Sequence, residues 1–494
     1  MNKIRDEGLN HSKVEWIAHY MTDVSGSRLT NSSGYRRACQ WAIKTFSDWG
    51  LANARLEPWG NFGYGWDLEK STLSLEKPYY ESIIAYAKPW SGSTKGAINA
   101  SVFLLEKEDT SWIAKHADQL RGKIVLIRSS DSILHGAFTA DASRYSDSAL
   151  ANMQDTYMLS SEMLHFFMPI ILNSIQVRRM LLKTGALGAL SINFGNAGSD
   201  GTVFVDGFGG FHQGDQPALP EMSLSAEACY KMERLIRSGH EVRVNMEIKA
   251  KLLSDDIKGY NVLAEFPGTD PVLKNEVVML GGHFDSWQSA TGATDNAAGC
   301  IAMMEAIRIL KSLGVQPRRT IRIALWGGEE QGLLGSFHYV KNHFGDPTTM
   351  TIKPEQEKIS AYYNLDNGSG KIRGIFAQQN EAVVPIFRKW IEPFHDLGTT
   401  TVTTRNTGST DHLSFDAVGI PGFEFIQDPL DYETRSHHSN MDNYDHLSLD
   451  DLKQAATIIA AFVYNTAMRD EKMPRKKLPK ASKFLFEEWE ETVP

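Results

Sequence analysis

From Tyr260 onward the sequence alternates short apolar runs with helical patterns of ten or more residues, and this alternation restricts the fold more than any other feature. An apolar run at 277–280 precedes a helical pattern over 297–313, which Gly314 closes. A second run at 321–326 precedes a helix over 331–343, and a further strand covers 359–365. Strands joined by crossovers of this length cannot pair as hairpins. The pattern therefore implies an α/β fold with a mixed, largely parallel, buried sheet flanked by helices. A last helix is expected over 448–468, with Ser448 and Asp451 at capping-box spacing.

The earlier part of the chain reads differently. Residues 12–50 read as helix, turn, helix, with Cys39, Ala42, Ile43 and Phe46 forming an apolar stripe. Residues 51–91, rich in aromatics between glycines, read as a loop followed by short strands. Between about 90 and 250 the runs become short and β-rich, the expectation for a separate small domain. Candidate units are thus 1–89, 90–250 and 251–494. The tail combines Arg475-Lys476-Lys477 with Phe484, Phe486 and Trp489 and reads as a surface segment docked by its aromatics.

Composition removes several function classes. The 494 residues carry 51 basic and 60 acidic side chains, a net charge of −9, which argues against nucleic-acid binding. Three scattered cysteines are too few for a disulfide framework or a cysteine-rich metal site. No apolar run approaches the roughly 18 to 20 residues of a membrane span. The polar stretch 1–11 lacks the apolar centre of a signal peptide and fits either a cytoplasmic protein or a mature secreted one.

The chemistry gathers at the expected strand ends. In an open α/β sheet, ligands collect outside the carboxyl ends of the strands. Gly281-Gly282-His283-Phe284-Asp285 places His283 there, with Asp285 on the same side and able to accept the second ring N–H of the imidazole. Asp295 stands at the mouth of the next helix, where it can cap the helix or bridge two cations. Glu329 and Glu330 follow the second strand, and Asp366 follows the third. His437 and His438 stand in a polar loop before the last helix. Each element has an ordinary reading as a cap or a solvated polar group. Their recurrence at three successive strand ends favours a His/carboxylate metal site, suited to zinc, with cobalt or manganese as alternatives.

As a set, Gly281-Gly282-His283-x-Asp285, Asp295-Asn296-Ala297-Ala298-Gly299, Glu329-Glu330-x-Gly332-Leu333-Leu334-Gly335-Ser336, Asn364-Leu365-Asp366 and His438-Ser439-x-x-Asp442 resemble the co-catalytic di-zinc aminopeptidase family of metallopeptidases. The similarity is strongest to its carboxypeptidase Q-like branch, also called plasma glutamate carboxypeptidase. It extends over about 12–468 and includes Ser25-Gly26-Ser27-Arg28-Leu29-Thr30. The block containing Arg121-Gly122-Lys123-Ile124-Val125-Leu126 is similar to a protease-associated domain inserted into such peptidases, which implies 1–89 and 251–494 as two parts of one catalytic domain interrupted by the insert 90–250.

The resemblance implies two zinc ions: one held by His283 and Asp366, the other by Glu330 and His438, with Asp295 bridging them. His438 is selected over His437 because it stands four residues before Asp442. Glu329 corresponds to the general base acting on a metal-bridging hydroxide. The three carboxylate ligands and a hydroxide would balance two divalent cations, which leaves Glu329 free to move protons. Thr410-Asp411-His412 matches a further polar motif of the family only in part.

The implied activity is zinc-dependent exopeptidase hydrolysis of short peptides, of aminopeptidase or dipeptidase type, with Trp287 and Tyr432, and also Phe425, near the substrate. The rival readings are a single-zinc glutaminyl cyclase and a noncatalytic binding protein on the same fold. The insert either shields the cleft or mediates homodimer contacts. The family's usual setting favours a secreted or periplasmic location over a cytoplasmic one.

Overall fold

The computed structural model describes residues 1–127, 140–155, 161–193, 200–207 and 209–482, so the tail aromatics Phe484, Phe486 and Trp489 lie outside the described residues. One eight-stranded sheet forms from β1 (Ala52–Asn61), β2 (Lys258–Phe266), β3 (Val277–His283), β4 (Thr320–Trp326), β5 (Ile359–Asn364), β6 (Ile372–Phe376), β7 (Thr401–Thr403) and β8 (Gly422–Gln427). Their order is β1-β2-β4-β3-β5-β8-β6-β7. The central pairs β4/β3, β3/β5 and β5/β8 are parallel, while β1/β2, β2/β4 and β6/β8 are antiparallel.

The continuous apolar text of β3 follows from burial on both faces. Val278 and Leu280 enter one core with Phe46, Ile301 and Ile458; Val277 and Met279 enter the other with Tyr339, Val340 and Phe415. The first core lies under α1 (Asn2–Asn10), α2 (Ser33–Asp48), α3 (Ala298–Ser312) and α5 (Leu449–Met468), and the second under α4 (Leu334–His343). The chain leaves β3 for β4 on one side and later adds β5 on the other. The carboxyl ends of these three strands therefore frame a crevice at a topological switch point.

A second eight-stranded sheet has the order Glu81–Ser82, Gly65–Lys77, Arg243–Leu253, Ile98–Leu105, Ile124–Ile127, Gly188–Ser191, Glu221–Leu224, Ala85–Ala87. Its strands begin at Gly65, not near residue 90, and end at Leu253. Residues 51–91 are likewise not a loop with short strands: they include strands of ten and thirteen residues, pairing with β2 and with Arg243–Leu253 respectively. Long-range pairing overrides the local glycine and aromatic pattern there. The two units share packing, because Trp59, Trp287 and Leu334 join the second unit's core beside Trp90 and Phe211.

One expected cap is absent. Ser448 makes no side-chain cap to α5, and Asp451 pairs instead with Arg144 at 2.7 Å, so a partner distant in sequence has claimed the capping carboxylate.

Candidate metal centre

The strand ends and one late loop converge on Asp295. His283 closes β3, Glu329 and Glu330 follow β4 after two glycines, and Asp366 lies just beyond β5. Asp295 precedes α3 with φ −126° and ψ 93°, outside helical geometry, so its carboxylate turns into the crevice instead of capping the helix. Its Oδ1 is 3.1 Å from His283 Nε2 and its Oδ2 is 3.2 Å from His438 Nε2. Each histidine has a further carboxylate of its own. His283 Nε2 is 3.3 Å from Asp366 Oδ1, and His438 Nε2 is 3.0 Å from Glu330 Oε2. Two His/carboxylate pairs thus share one central aspartate. His437 stands farther off, its Nε2 3.7 Å from Asp295 Oδ2. Glu329 Oε2 lies 3.9 Å from His283 Nε2, at the margin of the cluster.

Buried groups fix this arrangement from behind. Asp442 accepts the Thr294 N–H and hydroxyl at 2.5 and 2.7 Å and the Asp295 N–H at 3.1 Å. Glu424, inside β8, accepts the Asp366 N–H and the Asn364 side-chain amide, each at 2.8 Å. The Arg28 guanidinium, fully buried, donates to the carbonyls of Phe284, Thr291 and Gly292 at 2.7, 2.6 and 2.9 Å, bracing the loop between His283 and Asp295.

Asp285 serves differently from expectation. The His283 Nδ1–H donates to the Asp285 backbone carbonyl at 3.1 Å, while the nearer carboxylate oxygen is 3.8 Å away. The carboxylate instead accepts the N–H groups of Glu329 and Glu330, both at 3.2 Å, and the Thr30 hydroxyl at 3.0 Å. Because a carbonyl only accepts, this bond fixes a proton on His283 Nδ1 and leaves Nε2 facing the carboxylates, as a donor in the imidazolium and as a free lone pair once that proton is lost.

The electrostatics are those of a crowded acidic site. Burial pushes Glu330 up to about 8, with the Asp295 charge adding to the rise and His438 opposing it. Burial likewise holds Glu329 well above the ordinary carboxylate range; His283 opposes this, and Asp366 and Asp411 reinforce it. Burial alone would raise Asp295 as well, but its hydrogen bonds with His283 and His438 hold it well below the ordinary range. Both imidazoles lie well above their usual value despite burial, His283 chiefly through Asp366 and Glu329 and His438 chiefly through Glu330.

The donor set fits a divalent cation. Among the described residues, Glu330 Oε1 is buried without a hydrogen-bond donor, while Asp295 Oδ2 and Asp366 Oδ1 face only the imidazole nitrogens of His438 and His283. Ligand atoms of His283, Asp295 and Glu330 lie within 4.8 Å of one another, as do those of Asp295, His437 and His438. Unpaired buried carboxylate oxygens are costly unless a cation meets them.

A pocket opening from the cluster is lined by Trp287, Ser289, Gly292 and Ser439 beside Asp295, Glu330 and His438. The Trp287 ring centroid is 5.9 Å from that of His438. Tyr432 is buried and packs 4.7 Å from His437. Phe425 belongs to the core between Tyr363 and Phe462, at 6.0 and 5.2 Å, and not to the pocket. Asp411 and His412 are fully buried; burial pushes Asp411 up to about 7 and His412 down to about 4.

Glu424 and Arg28 have no assigned role in the sequence pattern, and Asp442 enters it only as the position four residues after His438. Glu424 carries a recognisable signal, a lone acid in a fully buried apolar strand. Arg28 carries none, because its acceptors are mostly backbone carbonyls more than 250 residues away.

Residues 261–463 match the profile of peptidase family M28. Carboxypeptidase Q of Mus musculus is 25% identical over 459 residues, covering 92% of this chain and 86% of that protein. Among solved structures, a peptidase M28 precursor from Shewanella amazonensis matches with a TM-score of 0.69 at 22% identity, covering 97% of this chain and 98% of that one. A zinc aminopeptidase from Bacillus subtilis matches with a TM-score of 0.57 at 18% identity, covering 93% and 96%.

Proposed function

We propose, from the premise that this chain belongs to peptidase family M28 and is a hydrolase, that it is a zinc-dependent exopeptidase acting on short peptides. The observation that carries the reading is the division of Asp295, one carboxylate oxygen toward the His283/Asp366 pair and the other toward the Glu330/His438 pair. His283 and Asp366 would hold one zinc ion, Glu330 and His438 a second, and Asp295 both. Zinc bound there would polarise a scissile carbonyl and acidify water at neutral pH.

The chain's own residues supply the remainder. Glu329 is the general base: it takes the proton of the attacking water and returns it to the leaving amine. Its backbone is fixed by Asp285, and its carboxylate lies beside the ligand cluster without bridging the two histidines. Arg28, Glu424 and Asp442 immobilise the loops that carry His283, Asp366 and Asp295, so little reorganisation is left for the reaction. Trp287 walls the pocket on the His438 side and limits the size of the bound peptide. Tyr432 shapes the site through His437. We further assign the strands between Gly65 and Leu253 to one inserted domain.

Zinc stoichiometry measured together with hydrolysis of dipeptides and aminoacyl substrates, each also N-blocked or C-amidated, tests the reading. Two zinc ions per chain and loss of turnover on blocking one particular terminus are expected. A single zinc with cyclisation of N-terminal glutamine, or no hydrolysis at full zinc occupancy, overturns it.

A further inference from the structure

The loop that carries His438 is held from outside its own sheet. Two segments of the second unit meet it as short antiparallel bridges, Ser143 with Leu430 and Phe204 with Ser439. At the first, Ser143 and Leu430 exchange backbone hydrogen bonds of 2.9 Å in both directions. Thr434 and Arg435 add contacts to Asp141, the hydroxyl donating to its carbonyl at 2.8 Å and the guanidinium pairing with its carboxylate at 3.2 Å. At the second bridge, the Val205 N–H donates to the His438 carbonyl at 2.7 Å and the Asn440 N–H donates to the Val203 carbonyl at 3.0 Å. The Asn440 side chain doubles this bridge, its Oδ1 accepting the Val203 N–H at 2.7 Å and its Nδ2 donating to the Gly201 carbonyl at 3.4 Å.

His438 itself has φ +55°, in the left-handed region. For a residue with a Cβ this conformation is unfavourable, and it persists only where the surroundings over-determine it. Here the bonds from residues 203 and 205 flank Ser439 on both sides and supply that constraint. A relaxed His438 would turn its imidazole away from Asp295 and Glu330.

We propose that residues 201–205 of the second unit form part of the metal centre's support, clamping the His438–Asn440 backbone so that His438 presents Nε2 to Asp295 and Glu330, with Asn440 as the positioning residue. The proposal rests on reading the cluster as a zinc site. It gives the second unit a role in setting the affinity of the half-site that His438 completes.

The test compares the full chain with Asn440→Ala, a half-buried position, by zinc titration against a metal buffer and by amide hydrogen exchange over 436–442. The variant is expected to keep one zinc at wild-type affinity and to bind the other about 10–100-fold more weakly, the usual effect of losing an outer support of a ligand. Exchange over 438–440 should quicken, and Asn440→Asp, which keeps the acceptor for the Val203 N–H, should recover most of both. If Asn440→Ala does not fold, Asn440→Ser is read the same way. Two zinc ions at unchanged affinity with unchanged exchange in the variant overturns the clamp and leaves the zinc reading intact. A wild-type chain that binds no zinc overturns the zinc reading, and hydrogen exchange then decides the clamp by itself.

Discussion

Asp285 divides one buried carboxylate between two successive peptide N–H groups, those of Glu329 and Glu330. Replacing it by asparagine would set an NH2 group against one of these donors and forfeit a charge-assisted bond, a loss of about 1.5–3 kcal/mol. The expected result for Asp285→Asn is lower stability and a reduced kcat with zinc content largely retained; a wild-type kcat would remove Asp285 from the positioning of Glu329. Glu329→Gln should keep both zinc ions and the fold yet lose about 10²–10⁴ in turnover, the contribution typical of general acid–base catalysis, and retained turnover rejects the role. Asp295→Ala should lose zinc altogether, since both halves of the cluster depend on its two oxygens; two ions retained in that variant would sink the bridging assignment. The convergence of His283, Asp295, Glu330 and Asp366 was legible in the sequence because they stand at strand ends or a helix mouth, where apolar text stops abruptly, whereas the choice of His438 over His437 rested on the family resemblance. The use of Asp285 was not, because two neighbours on one side of a strand end look alike whether the second bonds the first or a different loop.

The elements themselves were legible where burial imposes a period or a run. β3 to β5 and helices α3 and α5 fall within a few residues of their expected bounds, because each is apolar on the faces that the cores cover. The strands at Ala52–Asn61 and Gly65–Lys77 were not, since their partners lie roughly two hundred residues away and half-exposed strands carry little pattern. The second unit also holds an ionic element that nothing local announces: Glu221, on the strand Glu221–Leu224, pairs with Arg178 at 3.1 Å and accepts the Ser191 hydroxyl at 2.9 Å. Burial would raise this carboxyl, but the charges of Arg178 and Lys88 hold it down at about 2. A carboxyl lower in the folded than in the unfolded chain stabilises above the unfolded value, and the stabilisation is lost as pH falls through the folded one. Stability should therefore decline between about pH 4.5 and 2 by about 3 kcal/mol from this group. Glu221→Gln should be less stable at neutral pH and should flatten that part of the profile, as read by denaturant midpoints across pH; a profile parallel to wild type would show that the pair contributes nothing.

On the scale of the whole molecule, the chain crosses between its two sheets after β1 and again before β2, and the units share the core around Trp59, Trp287 and Leu334. The proposed zinc ligands span residues 283 to 438 and meet where β3, β4 and β5 end beside one late loop. The His438 loop is additionally bridged by the second unit. A cation bound by such a set stabilises only the folded chain, by about 2.7 kcal/mol per site when free zinc is a hundredfold above Kd. Two sites acting on an unfolding entropy that grows with chain length should raise the midpoint by on the order of 5 °C. Because the second unit takes part in the His438 half-site, the gain should not be confined to the first sheet. Hydrogen exchange at Ile124–Ile127, in the middle of the second sheet, should slow on adding zinc together with exchange at Val277–His283 in β3. Thermal scans and exchange of the chelated and zinc-loaded chain measure both effects. A midpoint that does not move with zinc would remove the metal from the fold's stability. A rise accompanied by protection in β3 alone would mean that the two units, although they share a core, fold and bind independently.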